Sequence, residues 1–368
     1  MKILRTAFRL LIGVVFIFSS FVKGIDPLGT VYRMEDYFLA FNMPSLFPAA
    51  LPLTILLCAV EFMVGISLFF NLWIRRISWV LLLMMTYFTV LTFFDAVYNL
   101  VPDCGCFGDA LKMTNVQTFI KNIVLMVFVI PVFAWRNKYR GLLKVPASVI
   151  VLALFTAGFT ALSIHSYRTL PLIDFMAWKV GNRVNKTEAK PVTFYVTYKN
   201  QKTGEEKEYV SPNYPWNDSI WLDEWIFHSQ RVDDPNLNEG IVLRVEDQYG
   251  SDLTASILDN PDYQFILVAY DLKKSDRDGL VRILPLYKKA MADGYSFVCL
   301  SNSLPEEIRV FRMDNGFAFD IYNADDIVLK TMVRSNPGLI LLKDGVVLAK
   351  WPFRSFPTYE EVREKYMK

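Results

Sequence analysis

Five apolar stretches fill most of the first half of the chain, and each is long enough to cross a lipid bilayer, which takes about 20 residues. They cover residues 4–22, 51–72, 77–98, 119–135 and 145–164. Of the 368 residues, 53% are hydrophobic and 21% are charged, a balance that excludes a disordered chain and an ordinary single soluble domain. We therefore predict a multi-pass membrane protein, in contact with membrane lipid, that also carries a sizeable water-soluble part.

Charged residues predict the orientation of the apolar stretches. Residues 1–168 hold 14 Lys/Arg and 7 Asp/Glu, whereas residues 169–368 hold 25 and 30. Four basic residues lie in the short loops on one side of the stretches, and nine lie on the other. The nine are Lys2, Arg5, Arg9, Arg75, Arg76, Arg136, Lys138, Arg140 and Lys144. Because basic loops stay in the cytoplasm, we expect a cytoplasmic N-terminus and, beyond about residue 166, a domain on the periplasmic side of a bacterial inner membrane.

A signal peptide and a nucleic-acid site can also contain basic residues, but both fit this sequence less well. Basic residues before an apolar run are typical of a signal peptide, yet residues 21–27 lack an Ala-x-Ala-like cleavage site. We therefore expect the first apolar stretch to be retained as a membrane helix. No run of basic residues is long enough to form a phosphate-backbone groove, so we expect no nucleic-acid partner.

Cys104 and Cys106 are the most specific chemical feature of the sequence, in the run Asp-Cys-Gly-Cys-Phe-Gly-Asp between the third and fourth apolar stretches. Cysteines at i and i+2 can reach the Cα separation of a disulfide, roughly 4.4–6.8 Å, and the glycine between them supplies unusual backbone angles. A bridge across so short a loop stabilises little and is easily reduced, which favours a redox role. The alternatives are a purely structural bridge and two free thiols. A zinc site is less consistent, because two thiolates without histidine fill half of its shell.

Three features of the first 140 residues form a wider pattern around these cysteines. They are the run Phe-Ile-Phe-Ser-Ser-Phe-Val-Lys-Gly-Ile-Asp-Pro-Leu-Gly at residues 16–29, a glutamate at position 61, and Cys-Gly-Cys-Phe-Gly at residues 104–108. Together they resemble the DoxX/MauE group of small membrane proteins, of which MauE is the methylamine-utilisation member. The resemblance implies a four-helix membrane bundle that helps to mature disulfides of a periplasmic protein partner. It also implies that Cys104 and Cys106 exchange electrons with a substrate thiol, with a quinone as electron acceptor.

Glu61 lies about ten residues into the second apolar stretch, where an ionisable side chain is costly and often functional. It could relay protons or bind a quinone carbonyl, or it could be a protonated or paired side chain that fixes helix packing. Lys23, Asp26 and Asp95 lie near the ends of apolar stretches, where snorkelling and interface anchoring explain them without a chemical role. The alternative is that they gather around the cysteine pair and tune its pKa.

The second half of the chain has the patterns of a soluble domain. Residues 191–198 alternate with period two, and residues 214–227 are rich in aromatic side chains. After about residue 241, strands alternate with helices, including strands at 265–270 and 295–300 and a helix at 277–292. The sequence therefore predicts a β-rich connecting region followed by an α/β domain.

The α/β region carries a second resemblance. Residues 245–254, the strand after them, and Ser-Asn-Pro-Gly at 335–338 before an apolar strand resemble thioredoxin-like domains of the peroxiredoxin/TlpA type. Pro337 occupies that family's cis-proline position, so the resemblance implies a cis peptide and a partner-binding surface around Asn336 and Pro337. The family places Cys-x-x-Cys where this chain has residues 271–278 without a cysteine. We therefore expect no thioredoxin-type redox chemistry in this domain.

The expected architecture combines these parts. It is an α-helical membrane bundle, DoxX-like and four-helical, with a fifth transmembrane helix, followed by a soluble α/β thioredoxin-like domain with a β-rich N-terminal extension. The expected boundaries are 1–140 for the bundle, 141–168 for the fifth helix, 169–240 for the connecting region and 241–368 for the thioredoxin-like domain lacking Cys-x-x-Cys.

Two functions from different classes fit these features. In the first, the protein takes part in periplasmic thiol–disulfide exchange through Cys104 and Cys106, coupled to a quinone, and the α/β domain docks the client. In the second, it is a non-catalytic subunit of a larger membrane complex whose α/β domain binds a partner protein. The Cys-Gly-Cys loop favours the first hypothesis, and the missing Cys-x-x-Cys favours the second. A transporter fits less well, because Glu61 alone is a clear intramembrane polar group.

Overall fold

A computed structural model describes residues 2–184, 193–211, 213–215, 218–233, 243–315 and 319–367 of the chain. Among these residues, five helices of the first half are long and apolar enough to span a membrane, which confirms the predicted multi-pass membrane protein. With the shorter α2, the helices of this half are α1 (Lys2–Ile25), α2 (Pro27–Ala40), α3 (Ala50–Phe70), α4 (Ile74–Tyr98), α5 (Asn115–Ala134) and α6 (Val145–Arg168).

Local sequence signals set the ends of these helices. The Asp26 carboxylate caps the start of α2, and Thr114 forms a capping box with Gln117 at the start of α5. At the ends of α3 and α4, Asn71 and Asn99 adopt left-handed backbone angles, with φ of 57° and 48°. Asparagine tolerates this conformation better than most residues, so each helix stops where the chain must turn.

Close packing of α1 against α3 forms the centre of the membrane bundle. A Cβ atom at Gly65 would lie 2.8 Å from the backbone nitrogen of Ile17, and one at Gly13 would lie 2.9 Å from the backbone nitrogen of Phe69. The two glycines therefore let the helix backbones approach closely, as small residues do in membrane helix pairs. The α6 helix packs on α3, where the rings of Phe62 and Phe159 stack with their centroids 4.3 Å apart.

The second half of the chain contains two β-sheets. The smaller is antiparallel, in the order β2-β1-β3, and the larger has six strands in the order β4-β7-β6-β5-β8-β9. The strands are β1 (Thr193–Asn200), β2 (Glu206–Val210), β3 (Trp225–Asp233), β4 (Val245–Glu246), β5 (Tyr263–Val268), β6 (Ser296–Ser301), β7 (Asp320–Ala324), β8 (Gly338–Lys343) and β9 (Val346–Pro352). The helices are α7 (Ser219–Glu224), α8 (Thr254–Leu258), α9 (Arg277–Ala292), α10 (Pro305–Asn315), α11 (Asp326–Met332) and α12 (Tyr359–Tyr366).

The six-stranded sheet is the centre of an α/β domain. Strands β5, β6 and β7 are parallel, whereas β4, β8 and β9 run antiparallel to their neighbours. All six residues of β5 are buried, because helices cover both faces of the sheet. Phe265 and Leu267 pack with α9 and α12 on one face, and Ile266 and Val268 pack with α8 and α11 on the other. The predicted fold class, a membrane helical part followed by a soluble α/β domain, is confirmed.

A segment before the small sheet also packs on the α/β domain. Trp178 is buried in the core on the α8 and α11 face of the six-stranded sheet. The backbone of Gly181 donates a hydrogen bond of 2.8 Å to the carbonyl of Val347 in β9, and Arg183 forms a β-bridge with Val346. The chain therefore touches the α/β domain immediately after α6, before it enters β1.

Candidate functional site

The loop between α4 and α5 turns tightly around the two cysteines. Gly105 and Gly108 have φ of 61° and 52°, a region that glycine adopts without steric cost. The Gly108 amide donates to the Gly105 carbonyl at 2.9 Å, and the Asp103 carboxylate accepts a hydrogen bond of 2.6 Å from the Gly105 amide. These bonds close the turn and bring both cysteine side chains to the same side of it.

Cys104 and Cys106 are in direct contact as free thiols. Their sulfur atoms lie 2.9 Å apart, and both side chains are half-buried. The hydrogen bond between the two thiols lowers the pKa of Cys106 to about 6, and the ammonium groups of Lys121 and Lys23 act in the same direction against the effect of burial. The same hydrogen bond, together with burial, raises the pKa of Cys104 well above its usual value. The two sulfurs are therefore inequivalent, and Cys106 is the more acidic thiol.

Glu61 forms a buried ion pair with Lys23 beneath the cysteine loop. The two residues are 4% and 5% exposed, and the Lys23 ammonium contacts a carboxylate oxygen of Glu61 directly. The Ser19 hydroxyl lies 2.8 Å from the other carboxylate oxygen and 2.7 Å from the carbonyl oxygen of Cys106. Glu61 is thus a paired side chain, and it is connected to the cysteine loop through Ser19.

A cavity of about 510 Å³ opens beside this group. The cysteines, Lys23, Glu61 and Lys121 lie on its wall. The rest of its lining is mainly apolar and comes from α1 to α5, including Phe16, Met34, Phe38, Leu57, Val60, Met84, Phe88 and Leu91. Its shape is that of a ligand site with a polar end and an apolar body.

Arg33 of α2 binds the carboxylates at both ends of the cysteine loop. Its guanidinium donates to both Asp103 oxygens at 3.1 and 2.9 Å, to Asp109 at 2.7 Å, and to the Gly29 carbonyl at 2.9 Å. A Cβ atom at Gly105 would lie 2.0 Å from the Arg33 side chain. Arg33 therefore spans the turn and fixes both ends of the Asp-Cys-Gly-Cys-Phe-Gly-Asp run.

Arg334 of the α/β domain reaches into the membrane part and contacts the same loop. It is 7% exposed, and it donates to both carboxylate oxygens of Asp26 at 3.1 and 3.0 Å and to Asp109 at 2.6 Å. A neighbouring contact joins the hydroxyl groups of Tyr32 and Tyr270 at 3.2 Å. Asp109 thus lies between two arginines from different halves of the chain. Burial raises the pKa of Asp109, but Arg33 and Arg334 outweigh that effect and hold the pKa below its usual value.

Asn336 and Pro337 follow Arg334 in the loop before β8. The Asn336–Pro337 peptide is cis, as the sequence predicted. Asn336 accepts a hydrogen bond from Ser275 and donates one to the Asp271 carbonyl, both at 2.9 Å, while Pro337 is buried. The loop therefore packs against the segment that leads into α9, where this chain has no cysteine.

Sequence reasoning identified part of this site and missed part of it. The cysteines, Glu61 and the surrounding aspartates come together. Snorkelling is wrong for Lys23, because its ammonium is buried and paired instead of reaching water. Arg33, Lys121 and Arg334 were not singled out, because nothing in their sequence positions distinguishes them from ordinary surface cations. Only the proximity of α2, α5 and the α/β domain to the cysteine loop reveals them.

Comparison with known proteins identifies the first part of the chain. Residues 1–136 match the sequence model of the family described as "Methylamine utilisation protein MauE". No curated protein and no solved structure matches the chain. The matched residues contain α1 to α5, the cysteine loop and the whole lining of the cavity. The chain is a multi-pass membrane protein whose residues 1–136 are similar to this family.

Proposed function

We propose that the protein carries out thiol–disulfide exchange on the periplasmic side of a bacterial inner membrane, through Cys104 and Cys106. The observation that carries this proposal is the pair of free thiols in contact at 2.9 Å, inside a turn shaped by two glycines. Two sulfurs so placed need little movement to form a bond, and the lysines beside them favour the thiolate of Cys106. A merely structural pair would not need two lysines beside it.

A quinone fits the cavity as the electron acceptor of this exchange. The cavity is large enough for a ring head group, and its apolar wall suits an isoprenoid tail within the membrane. Lys23, Lys121 and Ser19 offer hydrogen-bond donors at the end nearest the cysteines. When bound there, the quinone would accept two electrons from the dithiol. Glu61, joined to the loop through Ser19, is placed to hold or pass a proton at that end.

The α/β domain serves as the docking module for the client in this proposal. Its cis Asn336–Pro337 peptide and the contact of Asn336 with the segment before α9 support the proposed likeness to a thioredoxin-like domain. Residues 271–278, in that segment, contain no cysteine, so the domain contributes a surface and no electrons. Asn336 is half-buried and forms the edge of that surface, which Pro337 supports from beneath.

Mixed-disulfide trapping in membranes tests the exchange. With one thiol of the pair replaced by serine, the remaining cysteine should hold a client thiol in a stable bond that reducing agent releases. Cys58→Ser and Cys299→Ser are matched controls, because both of those cysteines are fully buried. Adducts that require Cys104 or Cys106, and are unchanged in the controls, support the proposal. Absence of adducts with every periplasmic thiol protein, while the thiols stay reactive, would contradict it.

A second candidate function is a non-catalytic assembly subunit. The observation that favours it is Arg334, which fixes the α/β domain to the membrane part through two buried carboxylates, as in a rigid scaffold. In that case the Cys104→Ser/Cys106→Ser double variant would retain full function in cells. Substitutions on the exposed surface of the α/β domain would then abolish function and partner capture together.

A further inference from the structure

Lys121 lies beside the cysteine pair, and the exchange proposed above assigns it no role in the transfer of electrons between thiols. It projects from the second turn of α5, and its ammonium lies 4.6 Å from the centre of the Phe107 ring. It lines the same cavity as both cysteines, and its positive charge lowers the pKa of Cys106. Lys23 is neutralised by Glu61, whereas no ion pair joins Lys121 to a carboxylate in the part of the chain that the structure describes.

The charged and titratable groups around Cys106 come from every element of the bundle that packs on it. They are Cys104 and Asp103 in the loop, Lys23 on α1, Arg33 and Tyr37 on α2, Cys58 and Glu61 on α3 and Lys121 on α5, with Asp95 of α4 accepting the Tyr37 hydroxyl proton in a hydrogen bond of 2.5 Å. Glu61 cancels Lys23, and Asp103 and Asp109 pair with Arg33, so Lys121 is the uncompensated positive charge beside the sulfur in the described part of the chain. Lys121 lowers the pKa of Cys104 as well, but the hydrogen bond between the two thiols outweighs that effect.

We propose that Lys121 makes Cys106 the leaving thiolate of the pair, so that an incoming client thiol forms its mixed disulfide with Cys104. The assignment of roles to the two sulfurs rests on the exchange proposed above. A thiol that is stable as the thiolate leaves faster from a disulfide. Attack on the Cys104 sulfur expels the Cys106 thiolate, which Lys121 stabilises. Attack on the Cys106 sulfur would expel the Cys104 thiolate, which is harder to stabilise.

The step balances with a client dithiol as the reductant. A client thiolate attacks the Cys104 sulfur of the oxidised pair, the Cys104–Cys106 bond breaks, and its electron pair stays on Cys106. The second client thiolate then attacks the client sulfur of the mixed disulfide, and Cys104 departs and takes up a proton. The client dithiol is oxidised by two electrons to a disulfide, and the Cys104–Cys106 disulfide is reduced by two electrons to a thiol and a thiolate.

Variants of the full-length protein that keep a single cysteine of the pair, with Cys58 and Cys299 fully buried in each, test the proposal in detergent with an aromatic disulfide reagent, whose released thiolate is coloured. The reagent reports the thiolate at each position without a client or a quinone. At pH 6.5, Cys104→Ser, which keeps Cys106, should react at least about tenfold faster than Cys106→Ser, as expected for thiol pKa values that differ by one or more units. The serine hydroxyl keeps a hydrogen-bond donor beside the remaining sulfur.

Substitution of Lys121 separates a chemical role from a structural one. Lys121→Met added to Cys104→Ser should slow the reaction at pH 6.5 by about three- to tenfold, since the thiolate fraction falls while the intrinsic nucleophilicity rises. Lys121→Arg should restore the rate, and Lys112→Met, in the exposed part of the same loop, should leave it unchanged. The same Lys121→Met change in Cys106→Ser should slow the reaction less, because Lys121 acts on Cys104 more weakly than on Cys106. Lys121→Gln serves in place of Lys121→Met if that variant does not accumulate in the membrane.

Equal rates for the two single-cysteine variants at pH 6.5 would overturn the proposal. So would a Lys121→Met effect that is the same for both cysteines, since that pattern indicates a distorted loop. The test also separates the two proposals. If the reactivity pattern is found but no client forms mixed disulfides, the exchange function fails while the assignment of Cys106 and Lys121 stands.

Discussion

Lys23 and Glu61 are the residues whose burial has the largest energetic consequence. Each of them alone would be costly within a membrane helix, because desolvation of an unpaired charge costs several kcal/mol. Together they neutralise each other, and Ser19 satisfies the remaining carboxylate oxygen. The pair thus joins α1 to α3 at the depth of the cavity, and it fixes a polar end on an otherwise apolar site.

Removing one member of this pair should destabilise the bundle more than removing both. Glu61→Ala leaves the Lys23 charge buried and uncompensated, which costs about 3–5 kcal/mol. The double change Lys23→Met/Glu61→Leu should recover most of that loss. Thermal melting of the purified protein in detergent measures the effect. Glu360→Ala, at an exposed pair on α12, is the matched control and should leave the melting temperature unchanged. A double variant as unstable as the single one would show that the pair is not the source of the effect.

Gly105 shows how one backbone angle determines the position of the cysteines. Its left-handed φ would cost about 1–2 kcal/mol for a residue with a Cβ atom, and that atom would also collide with Arg33. Gly105→Ala should therefore destabilise the loop by more than about 2 kcal/mol and weaken the contact between the sulfurs. Thiol labelling and thermal melting report both effects.

The matched control for that change is Gly294→Ala. Gly294 has φ of 83°, and nothing lies within 4 Å of the position a Cβ atom would take, so the variant carries the backbone strain alone. Its labelling pattern should equal that of the unchanged protein. Equal losses in the two variants would mean that the Arg33 contact contributes nothing to the loop.

At the scale of elements, three segments meet at Asp109: the cysteine loop, α2 through Arg33, and the loop between α11 and β8 through Arg334. These two arginines share three carboxylates, Asp103, Asp109 and Asp26, so the interface keeps its ion pairs only while all three segments are together. Any movement of the α/β domain away from the bundle must therefore break charge-assisted hydrogen bonds next to the cysteines.

Arg334→Ala should release the α/β domain from the bundle. It leaves Asp26 and Asp109 buried without their shared partner, a loss of about 3–5 kcal/mol from docking. Faster hydrogen exchange in α2 and α11 should follow, with the sheet interior unchanged. Arg363→Ala, an arginine in an exposed pair on α12, serves as the control and should not alter exchange in α2. Unchanged protection of α2 in the Arg334 variant would exclude Arg334 as the anchor.

Docking should also depend on pH through Asp109. Its pKa in the folded protein lies below the usual value of about 3.9, so its stabilising contribution is complete above that value and is lost as the pH falls through the lower, folded value. We expect α2 to stay protected from exchange between about pH 5 and 8 and to lose protection only as the pH falls below the usual range of an aspartate carboxyl. Asp109→Asn should flatten this dependence. If α2 loses its protection at the same pH in Asp109→Asn, other carboxylates cause the transition.

The sequence predicts the helices and strands more accurately than the contacts between them. Helix periodicity predicted residues 277–292, the observed bounds of α9, and the apolar run at 265–270 lies within two residues of β5. The cysteines were recognised because their spacing is unusual. Lys121 and Arg334 were not, since a charged residue takes its role from what the fold places beside it. Local pattern carries no information about contacts between residues more than 200 positions apart, such as Asp109 and Arg334.

At the scale of the whole molecule, a MauE-like membrane bundle carries an α/β domain seated on its cysteine loop. The cysteine pair lies on the wall of the cavity, and Arg334 of the α/β domain contacts the same loop. This arrangement would carry electrons from a water-soluble client to a lipid-soluble acceptor without exposing the thiolate. The fold supports the proposal by placing these parts in contact, and trapping would identify the client.

The orientation in the membrane is a further prediction at this scale. Nine basic residues on one side of the spans predict that everything after α6 lies outside the cytoplasm. Protease added to intact spheroplasts should remove the α/β domain and leave the membrane helices protected. An alkaline phosphatase fusion after the last residue should be active, and a fluorescent protein that folds only in the cytoplasm should be dark. The reverse result would place the cysteine loop in a reducing compartment.

The redox state of Cys104 and Cys106 in intact membranes tests the central claim most directly. Thiols are trapped with a bulky maleimide, with and without prior reduction, in membranes given excess quinone or held without oxygen. We predict a Cys104–Cys106 bond whose occupancy rises with quinone and falls without an acceptor, with Cys58 and Cys299 unlabelled throughout. A bond that stays fully formed, or thiols that never oxidise, under both conditions would contradict this claim.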